Sequence, residues 1–133
     1  MQPKKNTANG RGYRIMIVDD EPDITLSFNM ALEDHGFIVD AFNDPLLALS
    51  SFKAGLYAMA ILDIRMPIMN GYELSGEIRK IDNKVKISFM SAFDVFEENL
   101  KIAVPTLNEE KPLIMKKPIS IDNFVSCVKS KLE

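Results

Sequence analysis

Short apolar runs alternate along the chain with longer segments in which apolar residues recur every three or four positions. The short runs have the length of buried strands, and the longer segments have the period of amphipathic helices. This alternation is typical of a repeating βα unit with a parallel sheet. The pattern predicts five strands, at residues 13–18, 37–42, 58–62, 85–90 and 112–116.

Residues that favour helix ends mark the segments between these strands. Ser, Asp or Asn before an apolar helical face is a frequent N-cap, and proline is well tolerated in the first turn. Gly36 is placed to end the first helix, because glycine readily adopts the backbone conformation of a C-terminal cap. Such signals predict four helices, which begin near Pro22, Asp44 with Pro45, Asn70 with Gly71, and Ser120.

The segment 94–111 has the weakest pattern, and we expect a further helix there followed by an irregular return to the fifth strand. Five strands and five helices in alternation predict an α/β fold, a doubly wound (βα)5 three-layer sandwich of the flavodoxin-like kind. The expected strand order in the parallel sheet is 2-1-3-4-5, with right-handed crossovers. Ligands of such folds bind beyond the carboxyl ends of the strands, where the strand order reverses.

Composition limits the classes of function. A chain of 133 residues with 47% hydrophobic and 26% charged residues fits one globular domain. We assign this domain to residues 13–133 and a disordered N-terminal tail to residues 1–12, which are polar and aperiodic. The formal net charge of −3 offers no large positive field, so direct nucleic-acid binding is not expected.

The lone Cys127 and the lack of a long apolar segment bear on the cellular compartment in which the protein is expected. A single cysteine forms no intramolecular disulfide, which fits a reducing environment. No apolar stretch reaches the ~18 residues that a membrane span requires, and the N-terminus does not have the pattern of a secretory signal. We therefore expect a cytoplasmic protein without membrane insertion.

Polar residues follow four of the predicted strands at the point where each strand ends. Asp19 and Asp20 follow the first strand, Asp63 the third, Ser91 the fourth and Lys117 the fifth. Because parallel strands end at one edge of the sheet, we expect these side chains to converge. In isolation each residue is more often a turn or cap residue, and it is their recurrence at strand ends that indicates a site.

These residue types predict phosphate chemistry assisted by a metal. Clustered carboxylates repel one another unless a cation neutralises them, and all-oxygen ligands suit Mg²⁺. A carboxylate beside Mg²⁺ is able to attack a phosphoryl group when a further cation neutralises the phosphoryl oxygens. Lys117 supplies that cation, and Ser91 supplies a hydroxyl donor.

Four motifs, IVDDEP, ILDIRMPIMNG, FMSA and KKP, occur in this order along the chain. Together they resemble the response-regulator receiver domains of two-component signalling, over about residues 13–133. The resemblance implies that Asp63 is the phosphoacceptor, that Asp20 binds Mg²⁺ directly and that Asp19 acts largely through water. It also implies a metal ligand from the carbonyl of Arg65, a switch role for Ser91, and a phosphate-binding Lys117 before a cis Pro118.

The function implied by the resemblance is a phosphoacceptor switch rather than an enzyme, since its catalysis is limited to its own phosphorylation and dephosphorylation. The expected partner is a sensor histidine kinase or a phosphotransfer protein, and the resemblance leaves the output partner and the oligomeric state open. The chain ends soon after the last predicted helix, which fits either a single-domain regulator or part of a longer protein.

The same residues argue against two alternative functions and leave a third one open. A phosphatase of the haloacid-dehalogenase type would need a second aspartate where this chain has Arg65, and a flavin phosphate would be repelled by the acidic DDEP segment. A receiver-like interaction module that works without phosphorylation stays open, because Ile114 stands where receiver domains usually have Tyr or Phe. That departure puts an aromatic switch on the fifth strand in doubt.

Overall fold

The computed structural model describes residues 12–92 and 113–132. Within these ranges the strands agree with the predicted ones to within one residue at each end. The predicted helix in 94–111 and nearly all of the predicted tail lie outside the described residues. The described elements are β1 (Arg14–Val18), α1 (Pro22–Asp34), β2 (Ile38–Phe42), α2 (Pro45–Ser51), β3 (Met59–Asp63), α3 (Gly71–Ile81), β4 (Lys86–Ser91), β5 (Leu113–Lys116) and α4 (Ile121–Leu132).

The five strands form one parallel sheet in the order β2-β1-β3-β4-β5. The predicted fold class and strand order are therefore confirmed. The register pairs Val18 with Leu62, Asp63 with Met90, and Ser91 with Lys116. This register brings the carboxyl ends of β1, β3, β4 and β5 to one edge of the sheet.

Helices cover both faces of the sheet and give it the three layers that were predicted. The central strand β3 is buried along its whole length, as expected of a parallel strand with helices on both sides. Side chains of α2 and α3 pack on one face, and those of α1 and α4 pack on the other. Across the second face the rings of Phe28 and Phe124 stack with centroids 3.8 Å apart, which joins α1 to α4.

The helix ends follow the polar residues that predicted them. The side chain of Asp44 accepts a hydrogen bond from the backbone N–H of Leu46 at the start of α2. At the start of α3, Asn70 and Glu73 each accept from the other's backbone N–H, at 2.8 and 2.9 Å, and so form a capping box. Ser120 accepts in the same way at the start of α4. These caps fix where α2, α3 and α4 begin, next to the edge formed by the carboxyl ends of the strands.

The loop between β3 and α3 contains a strained residue, Ile68. Its φ of 75° lies in the left-handed region, which is unfavourable for a β-branched residue, and its side chain is 79% exposed. The backbone strain at this position therefore gains little compensation from packing of its own side chain.

Replacing Ile68 with asparagine should stabilise the protein by about 1 kcal/mol, because asparagine tolerates the left-handed region and little packing is lost. Urea unfolding measures the change. The matched control is Ile81→Asn, which alters an exposed isoleucine outside the left-handed region and should bring no gain. Equal effects of the two substitutions would show that backbone strain at residue 68 costs nothing.

Candidate functional site

The residues predicted at the strand ends do converge. Lys117 contacts two of the predicted carboxylates through its ammonium group. Its Nζ lies 2.8 Å from Oδ2 of Asp19 and 3.1 Å from Oδ1 of Asp63. One cation therefore bridges the ends of β1 and β3, although it lies more than fifty residues from either along the chain.

The charged side chains of the site are buried or nearly so. Asp19 is fully buried, Asp63 is 5% exposed and the Lys117 side chain is 13% exposed. Burial raises the pKa of Asp63 to about 6, and the negative charge of Asp19 adds to the rise, while Lys117 opposes it. Burial likewise raises the pKa of Asp19, against the hydrogen bond from Lys117. Both carboxylates are therefore harder to ionise than a carboxyl group in water.

Lys117 is held in its charged form. Burial alone would lower its pKa, but the hydrogen bond and charge of Asp19 and the charge of Asp63 outweigh burial and leave the pKa raised. The ammonium group is therefore a permanent donor at neutral pH, available to any anion that reaches Asp63.

Asp20 completes a group that suits a metal ion. One carboxylate oxygen from each of Asp19, Asp20 and Asp63 lies within 4.8 Å of the others, and Asp20 is exposed while the other two are buried. Three carboxylates with hard oxygen donors fit Mg²⁺. Burial raises the pKa of Asp19 and Asp63, so a cation bound beside them would ease the cost of keeping both carboxylates ionised.

The start of α3 is pressed against the phosphoacceptor candidate. A Cβ added at Gly71 would lie 2.4 Å from the backbone oxygen of Asp63, so only glycine fits there. The backbone N–H of Gly71 also donates to the carbonyl of Ile64, at 2.9 Å. The glycine in the MNG part of the motif therefore fixes the distance between α3 and the end of β3.

Two residues of the site were missed from the sequence. Asn43, which follows β2, donates to the backbone oxygen of Asp19 at 2.8 Å and to Oγ1 of Thr25 at 2.9 Å. Glu21 lies next to the acidic pair and contacts Lys117 through Oε1, at 3.2 Å. The position of Asn43 at a strand end was a usable signal, since the other site residues share it.

The remaining predicted residues are Ser91, Arg65 and Pro118. Ser91 is buried at the end of β4, and its backbone oxygen accepts from the N–H of Lys117 at 2.7 Å. Arg65 is exposed in the loop after β3 and lines an open cleft of about 570 Å³. The Lys117–Pro118 peptide is cis, as the resemblance implied.

Ile114 occupies the fifth-strand position where an aromatic residue is usual. It pairs with Phe89 in the sheet and packs, partly buried, on the face covered by α2 and α3. The aliphatic side chain is thus part of the core layer beside the site.

The raised pKa of Asp63 predicts that the stability of the protein depends on pH. A carboxyl whose pKa rises on folding from 3.8 to about 6 opposes folding once it ionises, so this cost is fully present above pH 6 and vanishes below about pH 4. Asp63→Asn should therefore raise the free energy of unfolding by roughly 1–2 kcal/mol at pH 7 without Mg²⁺.

Urea unfolding of both proteins between pH 4 and pH 8, in the presence of a chelator, measures this difference. The stabilisation should shrink as the pH falls through 6, because the wild-type carboxyl then becomes neutral like the amide. A difference that stays constant with pH would contradict the assignment of the cost to ionised Asp63.

No helix in residues 12–92 or 113–132 combines the length and apolar character that crossing a bilayer requires.

Comparison with known proteins agrees with this architecture. The sequence profile of the family described as "Response regulator receiver domain" matches residues 15–129. The transcriptional regulatory protein TrcR of Mycobacterium tuberculosis is 29% identical over 124 residues, which are 93% of this chain and 47% of TrcR. The chain thus spans about half the length of this relative, and 56% of a probable transcriptional regulator, ycf29, of Porphyra purpurea.

Solved structures are similar over nearly the whole chain. The response regulator TrrA of Thermotoga maritima, solved in complex with Mg²⁺ and beryllofluoride, is 31% identical with a TM-score of 0.73, and the match covers 91% of this chain and 99% of TrrA. The same regulator, solved in complex with the histidine kinase ThkA, matches with a TM-score of 0.74, the same identity and the same coverage. A receiver domain from Methanospirillum hungatei shares the fold, with a TM-score of 0.78 at 24% identity, over 91% of this chain and 94% of that one.

Proposed function

The chain belongs to the response regulator receiver domain family, and from this premise we propose that it is a Mg²⁺-dependent phosphoacceptor switch in which Asp63 takes up a phosphoryl group. The observation that carries the proposal is the bridge of Lys117 between the buried carboxylates of Asp19 and Asp63. A buried nucleophile beside a fixed cation is the arrangement that phosphoryl transfer requires, because its catalysis is mostly positioning and electrostatic stabilisation.

In the proposed step a carboxylate oxygen of Asp63 attacks the phosphorus of the donor. A bond forms between that oxygen and phosphorus, the bond from phosphorus to the donor breaks, and its electron pair leaves with the donor group. Lys117 neutralises charge on the phosphoryl oxygens, and the hydroxyl of Ser91 donates to one of them. Mg²⁺, when bound, supplies further neutralisation of the same oxygens.

The residues proposed to hold Mg²⁺ are the carboxylates of Asp19, Asp20 and Asp63 and the backbone carbonyl of Arg65. Asp20 is the exposed member of the carboxylate group, which gives the ion a route from solvent. Asp19 already pairs with Lys117, so we assign it a weaker contribution, largely through water. The all-oxygen set is appropriate for a hard cation that retains several waters.

The proposed phosphoryl donor is the phosphohistidine of a sensor histidine kinase or of a phosphotransfer protein. The complex of TrrA with the kinase ThkA supports a partner of this class, since TrrA is similar to this chain over nearly its full length. We further propose that the protein acts in the cytoplasm and that its catalysis is confined to its own phosphorylation and dephosphorylation. The receiver domain is assigned to residues 13–133.

Incubation with Mg²⁺ and acetyl phosphate tests the proposal without knowledge of the kinase. Mass spectrometry of the intact protein should show the gain of one phosphate, and a chelator should prevent the gain, because the site then lacks the second cation. No gain in the presence of Mg²⁺ would overturn the proposal and would favour an interaction module that works without phosphorylation.

Mg²⁺ binding in the absence of phosphate should depend on Asp20. Removing this anionic ligand in Asp20→Asn should weaken binding at least about tenfold, a cost that arises even when only an outer-shell partner of a metal is lost. Asp19→Asn should weaken binding less. Titration calorimetry measures both, with Asp23→Asn as a control for the loss of a nearby acidic charge. An unchanged Mg²⁺ affinity in Asp20→Asn would refute the metal assignment.

A further inference from the structure

We propose that Glu21 is a replaceable counter-ion of Lys117 that limits phosphorylation of Asp63, an inference that rests on the proposed function. Glu21 immediately precedes α1, and its Oε1 lies 3.2 Å from Nζ of Lys117. The role is that of a positioning residue, because Glu21 acts on the phosphoryl group only through the lysine and through its own charge.

Carboxylates surround the ammonium group of Lys117 in the part of the chain that the structure describes: Nζ donates a hydrogen bond to Glu21 and forms ion pairs with Asp19 and Asp63. An ammonium group has three N–H donors and no acceptor. Nζ has three carboxylate oxygens around it, from Asp19 at 2.8 Å, from Asp63 at 3.1 Å and from Glu21 at 3.2 Å. A phosphoryl oxygen on Asp63 therefore competes with these carboxylate oxygens for the charge and the N–H donors of Lys117.

The three contacts differ in how easily they are broken. The side chain of Asp19 is fully buried and that of Asp63 is 7% exposed, whereas that of Glu21 is 63% exposed. A buried carboxylate that loses its cation is left without solvent, which is costly, while water readily solvates an exposed one. Asp63 is also the group that carries the phosphoryl. Glu21 is therefore the partner that yields its place.

Glu21 opposes the phosphoryl group in two ways before it yields. Its Oε1 accepts a hydrogen bond from Lys117 and so competes with a phosphoryl oxygen for that donor, and its negative charge faces an incoming phosphoryl donor that is itself an anion. Both effects lower the affinity of the site for a phosphoryl group, and both are weakened by salt because Glu21 is exposed. An acidic residue in this position thus sets how readily the switch is turned on.

Beryllofluoride, a non-transferable mimic of a phosphoryl group, measures this affinity directly. At Mg²⁺ concentrations that saturate each variant, Glu21→Gln should bind beryllofluoride about two- to fivefold more tightly than the wild type at low salt, the range expected when one exposed ion pair no longer competes. The gain should decline towards none as the salt concentration rises. The rate of phosphate uptake from acetyl phosphate should increase in parallel.

Asp23→Asn is the matched control, because Asp23 lies in the first turn of α1 and, in the part of the chain that the structure describes, forms no ion pair with Lys117. A readout that requires neither metal nor phosphoryl is the Nζ resonance of Lys117 in NMR spectra recorded with a chelator. It should shift in Glu21→Gln and not in Asp23→Asn.

The outcomes separate the inference from the function on which it rests. Unchanged or weaker beryllofluoride binding in Glu21→Gln, or an equal gain in Asp23→Asn, would overturn the role of Glu21 while leaving Asp63 as the phosphoacceptor. Failure of the wild type to bind beryllofluoride at all, in the presence of Mg²⁺, would instead remove the proposed function itself.

Discussion

Replacing Lys117 with methionine should destabilise the protein by about 2–4 kcal/mol at pH 7 in the absence of Mg²⁺. The lysine is the cation that contacts both Asp19 and Asp63, and these carboxylates are buried. Methionine retains most of the apolar length of the side chain, so the loss reports the missing charge. Two buried anions without a partner cost more free energy than the ion pair itself contributes.

The loss in Lys117→Met should be reversible by other sources of positive charge. It should shrink as the pH falls towards about 6, because the pKa of Asp63 is about 6 even beside the lysine and lies higher without it, so that Asp63 in the variant becomes neutral first. Added Mg²⁺ should also reduce the loss, since the ion binds among the same carboxylates. Urea unfolding with and without Mg²⁺ measures both effects.

Lys116→Met is the control for this experiment. Lys116 is exposed and adjacent in sequence, and its replacement should change the free energy of unfolding by no more than about 0.5 kcal/mol. If the two substitutions cost the same, or if Mg²⁺ does not recover stability in Lys117→Met, the electrostatic account of the site is wrong.

The sequence predicted the sheet well because each strand is a short apolar run that ends at a polar residue. The parallel arrangement then required Asp63, Ser91 and Lys117 to share an edge, whatever the details of the loops. The helix starts were equally predictable, since Asp44 and Ser120 make local hydrogen bonds within three residues of their own positions. Strand ends and helix caps depend on neighbouring residues in the sequence, and they are therefore predictable from the sequence alone.

Contacts that depend on loop geometry were not predictable. Asn43 reaches Asp19 from a neighbouring strand, and Glu21 reaches Lys117 across 96 positions of sequence. Neither contact has a spacing rule, because side-chain reach and the path of each loop determine them together. For the same reason the left-handed backbone of Ile68 was not predictable, since asparagine or glycine would have been the expected residue at such a position.

The protonation of the site also required the structure. A sequence shows that carboxylates cluster, but it does not give the depth of burial that dominates the raised pKa of Asp63. Ile114 is a contrasting case, since its departure from an aromatic residue was visible in sequence and the structure shows it packed in the core layer beside Phe89. That activation proceeds without an aromatic ring on β5 stays a prediction.

Asp63→Asn should abolish phosphate uptake from acetyl phosphate, the largest effect that the account predicts. The amide has no anionic oxygen to attack phosphorus, and Asp63 is the last residue of the central strand β3, contacts Lys117 and belongs to the carboxylate group that suits Mg²⁺. Asp23→Asn should leave uptake intact, because that residue is an acidic side chain outside this group.

The most direct measurement of the central claim locates the phosphoryl group itself. Borohydride reduces an aspartyl phosphate to homoserine, so peptide mass spectrometry of the protein after treatment with Mg²⁺, acetyl phosphate and borohydride identifies the modified residue. We expect homoserine at position 63 and no modification at Asp19 or Asp20. Homoserine at another position, or uptake that persists in Asp63→Asn, would contradict it.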